Sequence, residues 1–204
     1  MFPAERGGMT QSKKIAVTGG SGSGKSFVCT LPREYGYAVF SCDEISRTLW
    51  RNAEYCAALG KLFPDCTDNG RISKELLSKN VFSDRGALAR LNDFSHPRIM
   101  RTLIGEMEKA GGISFAEVPL LFEGGYESLF DEVIAVRRDA SARIAAVSAR
   151  DGLSPEEVTA RMREQFPPER LSEKTCHIIE NNGDREALSR QLGIILKQIL
   201  PQSS

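Results

Sequence analysis

The eight residues Gly19-Gly20-Ser21-Gly22-Ser23-Gly24-Lys25-Ser26 meet every fixed position of the pattern G-x-x-x-x-G-K-[ST]. The setting agrees with the pattern: the apolar run at 14–18 reads as a buried strand entering the octapeptide, and a helix opens at 26–29 as the chain leaves it. Strand, glycine loop and helix in that order restrict the chain to an α/β fold built around a phosphate-binding loop. The residue types follow from the ligand. A triphosphate needs many hydrogen-bond donors around one anion, and small residues at Gly20, Ser21, Gly22, Ser23 and Gly24 let backbone N–H groups point inward without side chains in the way. The positive end of the helix behind the loop adds to the attraction. On this reading the chain binds a nucleoside triphosphate, Lys25 sets its ammonium on the β- and γ-phosphates, and the Ser26 hydroxyl ligates Mg²⁺.

At 204 residues the chain suits one α/β core with an insertion or a small lid. Lys plus Arg and Asp plus Glu each number 27. A balance of that kind provides no overall basic field to hold nucleic acid, although a local cluster can still grip a phosphate-rich small ligand. The five cysteines, at 29, 42, 56, 66 and 176, are odd in number and form neither a C-x-x-C pair nor a zinc spacing. Reduced thiols in a cytoplasmic protein are the expectation. No run approaches the roughly 18 apolar residues of a membrane span, and the N-terminus lacks the apolar core of a signal peptide. Neither a membrane nor a protein partner is implied. Residues 1–12 are Gly-rich and polar and contain a second methionine, Met9; they read as a disordered lead-in or a mis-chosen start, with no role.

Along the chain, a first helix is expected from 25 to about 35, weakened by Pro32 in its last turn and ended by Gly36. A second strand covers 37–41, and 44–51 is helical. Between 52 and 110 no strand is expected; helices at 54–63, 74–82, 84–94 and 97–110 read as a cap over the substrate, with a turn at 68–70 and Ser73 as an N-cap. Further strands are expected at 113–118, 132–136 and 177–180, and helices at 140–151, from Ser154-Pro155-Glu156-Glu157 onward, and from 184 to about 200. Alternating strands and helices imply a parallel sheet covered on both faces.

Three features point beyond triphosphate binding to phosphoryl transfer onto a small molecule; no Asn-Lys-x-Asp guanine signature and no ABC-type signature is present. Asp43 falls just past the second strand, where the carboxyl ends of strands collect ligands. It can accept and orient the proton of an attacking hydroxyl, or cap the helix that follows. Glu117 ends an apolar strand, where an acid holds an Mg²⁺-bound water or is simply solvated. An Arg-rich helical pair after the fourth strand, containing Arg143, Arg150, Arg161 and Arg163, reads as a lid that neutralises charge on the transferring group, or as a solvated charged face.

Taken with Gly36, Ile45-Ser46-Arg47, Val81-Phe82, His96-Pro97, Pro119-Leu120-Leu121-Phe122-Glu123, Gln165 and Ile179-Glu180-Asn181-Asn182-Gly183, these residues resemble the dephospho-coenzyme A kinase family in order and spacing from about 14 to 200. The resemblance implies a three-layer P-loop kinase fold with a five-stranded parallel sheet, a helical CoA-binding insertion and a helical lid. It implies ATP, with Mg²⁺, as phosphoryl donor to the 3′-hydroxyl of dephospho-CoA. A nucleotide core at 13–51, 112–138 and 175–204, a CoA domain at 52–111 and a lid at 139–174 follow from it. Asp43 matches the proposed base and Arg150 a lid arginine facing the phosphates. Thr18, Asp43, Arg47, His96 and Leu121 match positions at the substrate. Ser41 stands where the first acid of the family's Asp-x-Asp is usual, Asp43 matching the second, and Ala146 replaces an arginine common four residues before Arg150, with Arg143 one turn away as a substitute. Thr175-Cys176 stands where Ala-Asp is common. Two other readings remain: a P-loop kinase acting on a nucleoside monophosphate or a sugar acid, and a P-loop module that binds ATP without transferring phosphate.

Overall fold

The structure is a computed structural model and describes residues 12–200; the expected disordered lead-in or mis-chosen start lies, Ser12 apart, outside the described residues. In chain order the elements are β1 (Lys13–Thr18), α1 (Lys25–Val28), α2 (Thr30–Glu34), β2 (Ala38–Ser41), α3 (Cys42–Leu49), α4 (Ala53–Leu62), β3 (Thr67–Asp68), β4 (Arg71–Ile72), α5 (Lys74–Ser83) and α6 (Arg85–Ala110). They continue through β5 (Ile113–Glu117), β6 (Glu132–Arg137), α7 (Ala140–Asp151), α8 (Pro155–Met162), β7 (His177–Glu180) and α9 (Arg185–Ile199).

Five strands form one sheet in the order β2-β5-β1-β6-β7. β1 is its centre, parallel to β5 on one side, where Val17 lies opposite Glu117, and to β6 on the other, where Val17 lies opposite Ile134. A central parallel strand is covered on both faces, so its sequence is continuously apolar rather than alternating. Ile15, Ala16 and Val17 are accordingly fully buried. Ile15 and Val17 pack in a core with Phe115, Ile134, Val136 and Ile179 of the neighbouring strands, Val28 of α1, Leu31 of α2, and Leu188, Leu192 and Leu196 of α9. Each such side chain contributes about 1.5–3 kcal/mol by leaving water. That anchoring fixes the carboxyl end of β1, from which the glycine loop departs.

The chain forms two compact units: one of the described residues up to Phe40 together with those from Met107 on, the other of Ser41–Glu106. The second has its own core of Tyr55, Leu59, Phe63, Cys66, Leu77 and Ala87. Within it the Tyr55 hydroxyl meets Ser95 Oγ at 2.9 Å, and the Tyr55 ring lies 5.4 Å from that of Phe94.

Three local expectations are corrected. The helix expected over 25–35 is interrupted at Cys29, between α1 and α2, one turn before Pro32. Proline has no N–H to give the carbonyl four residues back, and its ring crowds that carbonyl at Val28, so the break falls ahead of the proline. The helices expected at 84–94 and 97–110 are one, α6, with Pro97 inside it. There the Arg98 guanidinium donates to the Phe94 carbonyl at 2.7 Å and lies over the Phe94 ring, so side-chain contacts bind the turn that the proline weakens. The insertion, expected to hold no strand, also contains a short antiparallel hairpin, β3–β4. Asn69 and Gly70 both take positive φ at its tip, the conformation of a two-residue hairpin turn.

Candidate active site

β1 ends in Thr18, 2% exposed and level with Ala135 of β6, and the loop begins at the next residue. Two glycines are required by the loop's shape. Gly22 has φ +75, and a Cβ there would stand 2.6 Å from the Arg143 carbonyl oxygen. Gly24, at φ +89, caps α1, and a Cβ on it would collide with the Asn181 amide. That amide is engaged: Asn181 Nδ2 donates to the Ser23 carbonyl at 2.7 Å, tying the loop after β7 to the glycine loop. The Lys25 ammonium folds back to donate to the carbonyls of Gly19 at 2.8 Å and Gly20 at 3.2 Å. Ser23 Oγ is buried and has no hydrogen-bond partner among the described residues. A buried hydroxyl left unpaired within a donor-rich loop is costly unless a ligand completes it.

The Ser26 hydroxyl donates to Glu117 Oε1 at 2.7 Å. β5 sets the carboxylate there because its last residue lies level with Val17 of β1. The same carboxylate acts on Cys29, whose thiol is pushed up to about 12, chiefly by burial and secondarily by Glu117.

Arg143, on α7, is 5% exposed although it is an arginine. Its Nε donates to the Ser21 carbonyl at 3.0 Å and its Nη2 to Gln165 Oε1 at 3.3 Å. Gln165 grips the same residue with both ends of its amide: its Oε1 accepts from the Ser21 N–H at 3.0 Å and its Nε2 donates to Ser21 Oγ at 2.8 Å. Burial pulls the Arg143 guanidinium below its usual range, with the Glu169 carboxylate opposing. Gln165 is held in turn by the loop after β5. Glu123 Oε1 accepts from the Phe166 N–H at 2.8 Å, and the Phe122 and Phe166 rings lie 5.1 Å apart. Beside these residues, Arg137, Arg138, Arg143 and Arg163 line a cavity of about 370 Å³. Across it the Arg137 Nε donates to Glu180 at 2.7 Å.

Arg150 stands two turns farther along α7. Its fork meets Asp151, Nε to Oδ1 at 2.7 Å and Nη2 to Oδ2 at 2.9 Å, and holds that carboxyl below its usual range. The α7 arginine that touches the glycine loop is Arg143. Leu121, expected at the substrate, is wholly buried, so its side chain acts there through packing only; its neighbour Leu120 is the exposed residue, at φ +56.

In the second unit, Ser41 and not Asp43 caps α3: Ser41 Oγ accepts from the Asp43 N–H at 3.2 Å. Asp43 therefore lies in the first turn with its side chain exposed. Asp43, Ser46 and Arg47 of α3 and Trp50, its C-cap, follow one another at spacings of three and four and line a groove of about 440 Å³ with residues of α5. His96 does not line it; it lies half-buried in α6, and burial lowers its pKa while Asp93 opposes. Gln165 and Glu123 carry no physical signal in the sequence beyond their place in a family pattern. Their role follows from contacts made across more than 40 and more than 140 residues of chain.

A parallel sheet whose central strand feeds a P-loop, with a hydroxyl–carboxylate pair at the loop and arginine-bearing helices after β6, defines a P-loop kinase. The dephospho-CoA kinase family model matches residues 13–186, and the chain belongs to that family. A dephospho-CoA kinase of Thermus thermophilus is 37% identical over 186 residues, covering 91% of each chain. That of Deinococcus radiodurans is 33% identical over 195 residues, covering 93% of this chain and 94% of its own. The crystal structure of TT1252 from Thermus thermophilus superimposes with a TM-score of 0.79 at 36% identity, over 94% of this chain and all of that one.

Proposed function

We propose that the protein transfers the γ-phosphoryl group of ATP to the 3′-hydroxyl of dephospho-CoA, giving CoA and ADP. Membership of the family carries this reading, together with the Ser26–Glu117 pair at a P-loop whose Ser23 hydroxyl has no partner among the described residues. The 3′-oxygen forms the new bond to the γ-phosphorus as the bond to the ADP oxygen breaks, and the hydroxyl proton leaves to Asp43. Asp43, exposed in the groove of its unit, accepts or orients that proton. Lys25 and the loop N–H groups from Gly20 to Ser26 hold the β- and γ-phosphates, and Arg150 offers its fork to the charge that spreads over the transferring group. Thr18 and Arg47 orient the acceptor.

The residues fit Mg²⁺. Ser26 and Glu117 place a hydroxyl and a carboxylate, both hard oxygen donors, within 2.7 Å of one another. They would hold the ion directly or through its waters, and it would supply charge neutralisation at the β- and γ-phosphates. No helix of the described residues is long and apolar enough to cross a membrane, and all five cysteines are free. Free thiols accord with the reducing cytoplasm, where this reading places the reaction.

The test is ADP release with ATP·Mg²⁺ and, separately, dephospho-CoA, AMP, CMP, gluconate and shikimate, with water as the blank. Turnover confined to dephospho-CoA, with CoA as product, is the expected result; turnover on another acceptor alone would overturn the substrate. Lys25→Ala should abolish transfer. Asp43→Asn should lose turnover and still bind ATP.

A further inference from the structure

Ser21 lies between Gly20 and Gly22, and glycine leaves the backbone on both sides of it free to turn. Its two flanking peptides are fixed from outside the loop: Gln165 holds the Ser21 N–H and Arg143 holds the Ser21 carbonyl. Gln165 belongs to the segment between α8 and β7, so its aim depends on what fastens that segment. The next residue, Phe166, stands before Pro167 and Pro168, neither of which has an N–H to give, and a residue before proline is held away from helix. The Phe166 N–H is therefore the last backbone donor ahead of the two prolines, and it goes to Glu123 Oε1 at 2.8 Å. Farther along the segment, Lys174 Nζ donates to Glu127 Oε1 at 2.9 Å and lies 5.9 Å from the centres of both the Phe122 and the Phe166 rings. Both of these acids lie on the loop that follows β5.

That loop has a defined turn of its own. Leu120 takes φ +56, a conformation uncommon for a residue with a Cβ, and the turn is closed by the Gly124 N–H on the Leu120 carbonyl at 3.0 Å and the Tyr126 N–H on the Leu121 carbonyl at 3.1 Å. β5 and its loop thus reach the octapeptide at two places. Glu117 accepts directly from Ser26 at its end, and Glu123 reaches Ser21 near its start by way of Phe166 and Gln165. We infer that Glu123 is a positioning residue for the donor nucleotide. It acts through Gln165 on the peptide ahead of Ser21 and keeps the loop N–H groups aimed at the phosphates. A loop shaped in advance binds a triphosphate without first having to order its glycines. The inference rests on ATP being bound at the glycine loop and is independent of the acceptor.

The experiment is calorimetric titration of ATP·Mg²⁺ into the full chain and into Glu123→Ala, Glu123→Gln, Gln165→Ala and the double variant Glu123→Ala/Gln165→Ala, with KM for dephospho-CoA and the urea midpoint measured on the same proteins. Glu123 is exposed, so its variants should unfold at midpoints close to wild type. The Kd for ATP should rise about fivefold in Glu123→Ala and stay within twofold of wild type in Glu123→Gln, which keeps an oxygen to accept from the Phe166 N–H. Two residues acting along one path are not additive, so the double variant should bind ATP less than twofold more weakly than Gln165→Ala alone. KM for dephospho-CoA should stay within twofold throughout. Unchanged ATP affinity in Glu123→Ala, losses that multiply in the double variant, or a Glu123→Gln as weak as Glu123→Ala would each overturn the assignment. Wild-type protein that binds no ATP would overturn the reading of the glycine loop on which it rests.

Discussion

Ser26 Oγ donates to Glu117 Oε1 at 2.7 Å, joining the first turn after the glycine loop to the last residue of a neighbouring strand. Neither residue is adjacent to the other in sequence, and the sheet register alone brings them together. The pair makes Glu117 part of the loop's chemistry and not a solvated strand end. Glu117→Gln keeps the shape and a hydrogen-bond acceptor while removing the charge. The Mg²⁺ concentration for half-maximal rate should rise about 10- to 100-fold, the range seen when groups supporting a metal are altered. Activity titrated against Mg²⁺ at fixed ATP measures it, and an unchanged midpoint would place the ion elsewhere.

Arg143 and Gln165 both bond Ser21 and also each other, so loss of either leaves a partner unsatisfied. Arg143→Met should cost about 1 kcal/mol of stability, because the Ser21 carbonyl and the Gln165 amide oxygen each lose a donor at a half-buried contact. Gln165→Glu is nearly isosteric and sets a negative charge beside the loop. It should raise KM for ATP several-fold, leave KM for dephospho-CoA unchanged and leave the urea midpoint close to wild type. A uniform fall in both affinities with stability would reduce Gln165 to a packing residue.

The strand, loop and helix around residues 14–28 are legible in the sequence because one short motif specifies all three and the burial of β1 on both faces writes a continuous apolar run. The opening of α8 is legible for a similar reason: the Ser154–Glu157 capping box is complete in the structure, each side chain bonded to the other's backbone. Positions decided by contacts distant from the local pattern are not. Proline signals a helix end at 97, but the Arg98–Phe94 contacts carry the helix through. Ser41 stands in the sequence as a missing acid; its hydroxyl is the cap of α3, which leaves Asp43 its carboxylate. Arg143 and Arg150 are indistinguishable by composition and period, and only the path of α7 past Ser21 decides which of them touches the loop.

Cys29 gives a stability signature at alkaline pH. Its thiol is raised from 9.0 to about 12 in the folded chain. Between those values the unfolded chain has lost the proton and the folded chain retains it, so stability falls as pH rises, by about 1.4 kcal/mol per pH unit at most. Urea midpoints at pH 8 and pH 10 should therefore diverge more for wild type than for Cys29→Ala. The same protonation keeps the thiol inert: at pH 8, iodoacetamide should label exposed Cys176 and spare Cys29 until the chain unfolds.

His96 acts with the opposite sign, at the acid side. Burial lowers its pKa below 6.5 in the folded chain, and the Asp93 carboxylate recovers only part of the loss. Above 6.5 both folded and unfolded chains hold it neutral, and its contribution to stability is fully present. As pH falls through 6.5 the unfolded chain takes up the proton first, and stability declines until the folded chain is protonated too. His96→Gln removes the titration while keeping a polar side chain of similar reach. Urea unfolding at pH 7.5 and pH 5 should show a larger acid loss in wild type than in His96→Gln. Equal losses would mean that His96 is as free to charge in the fold as outside it.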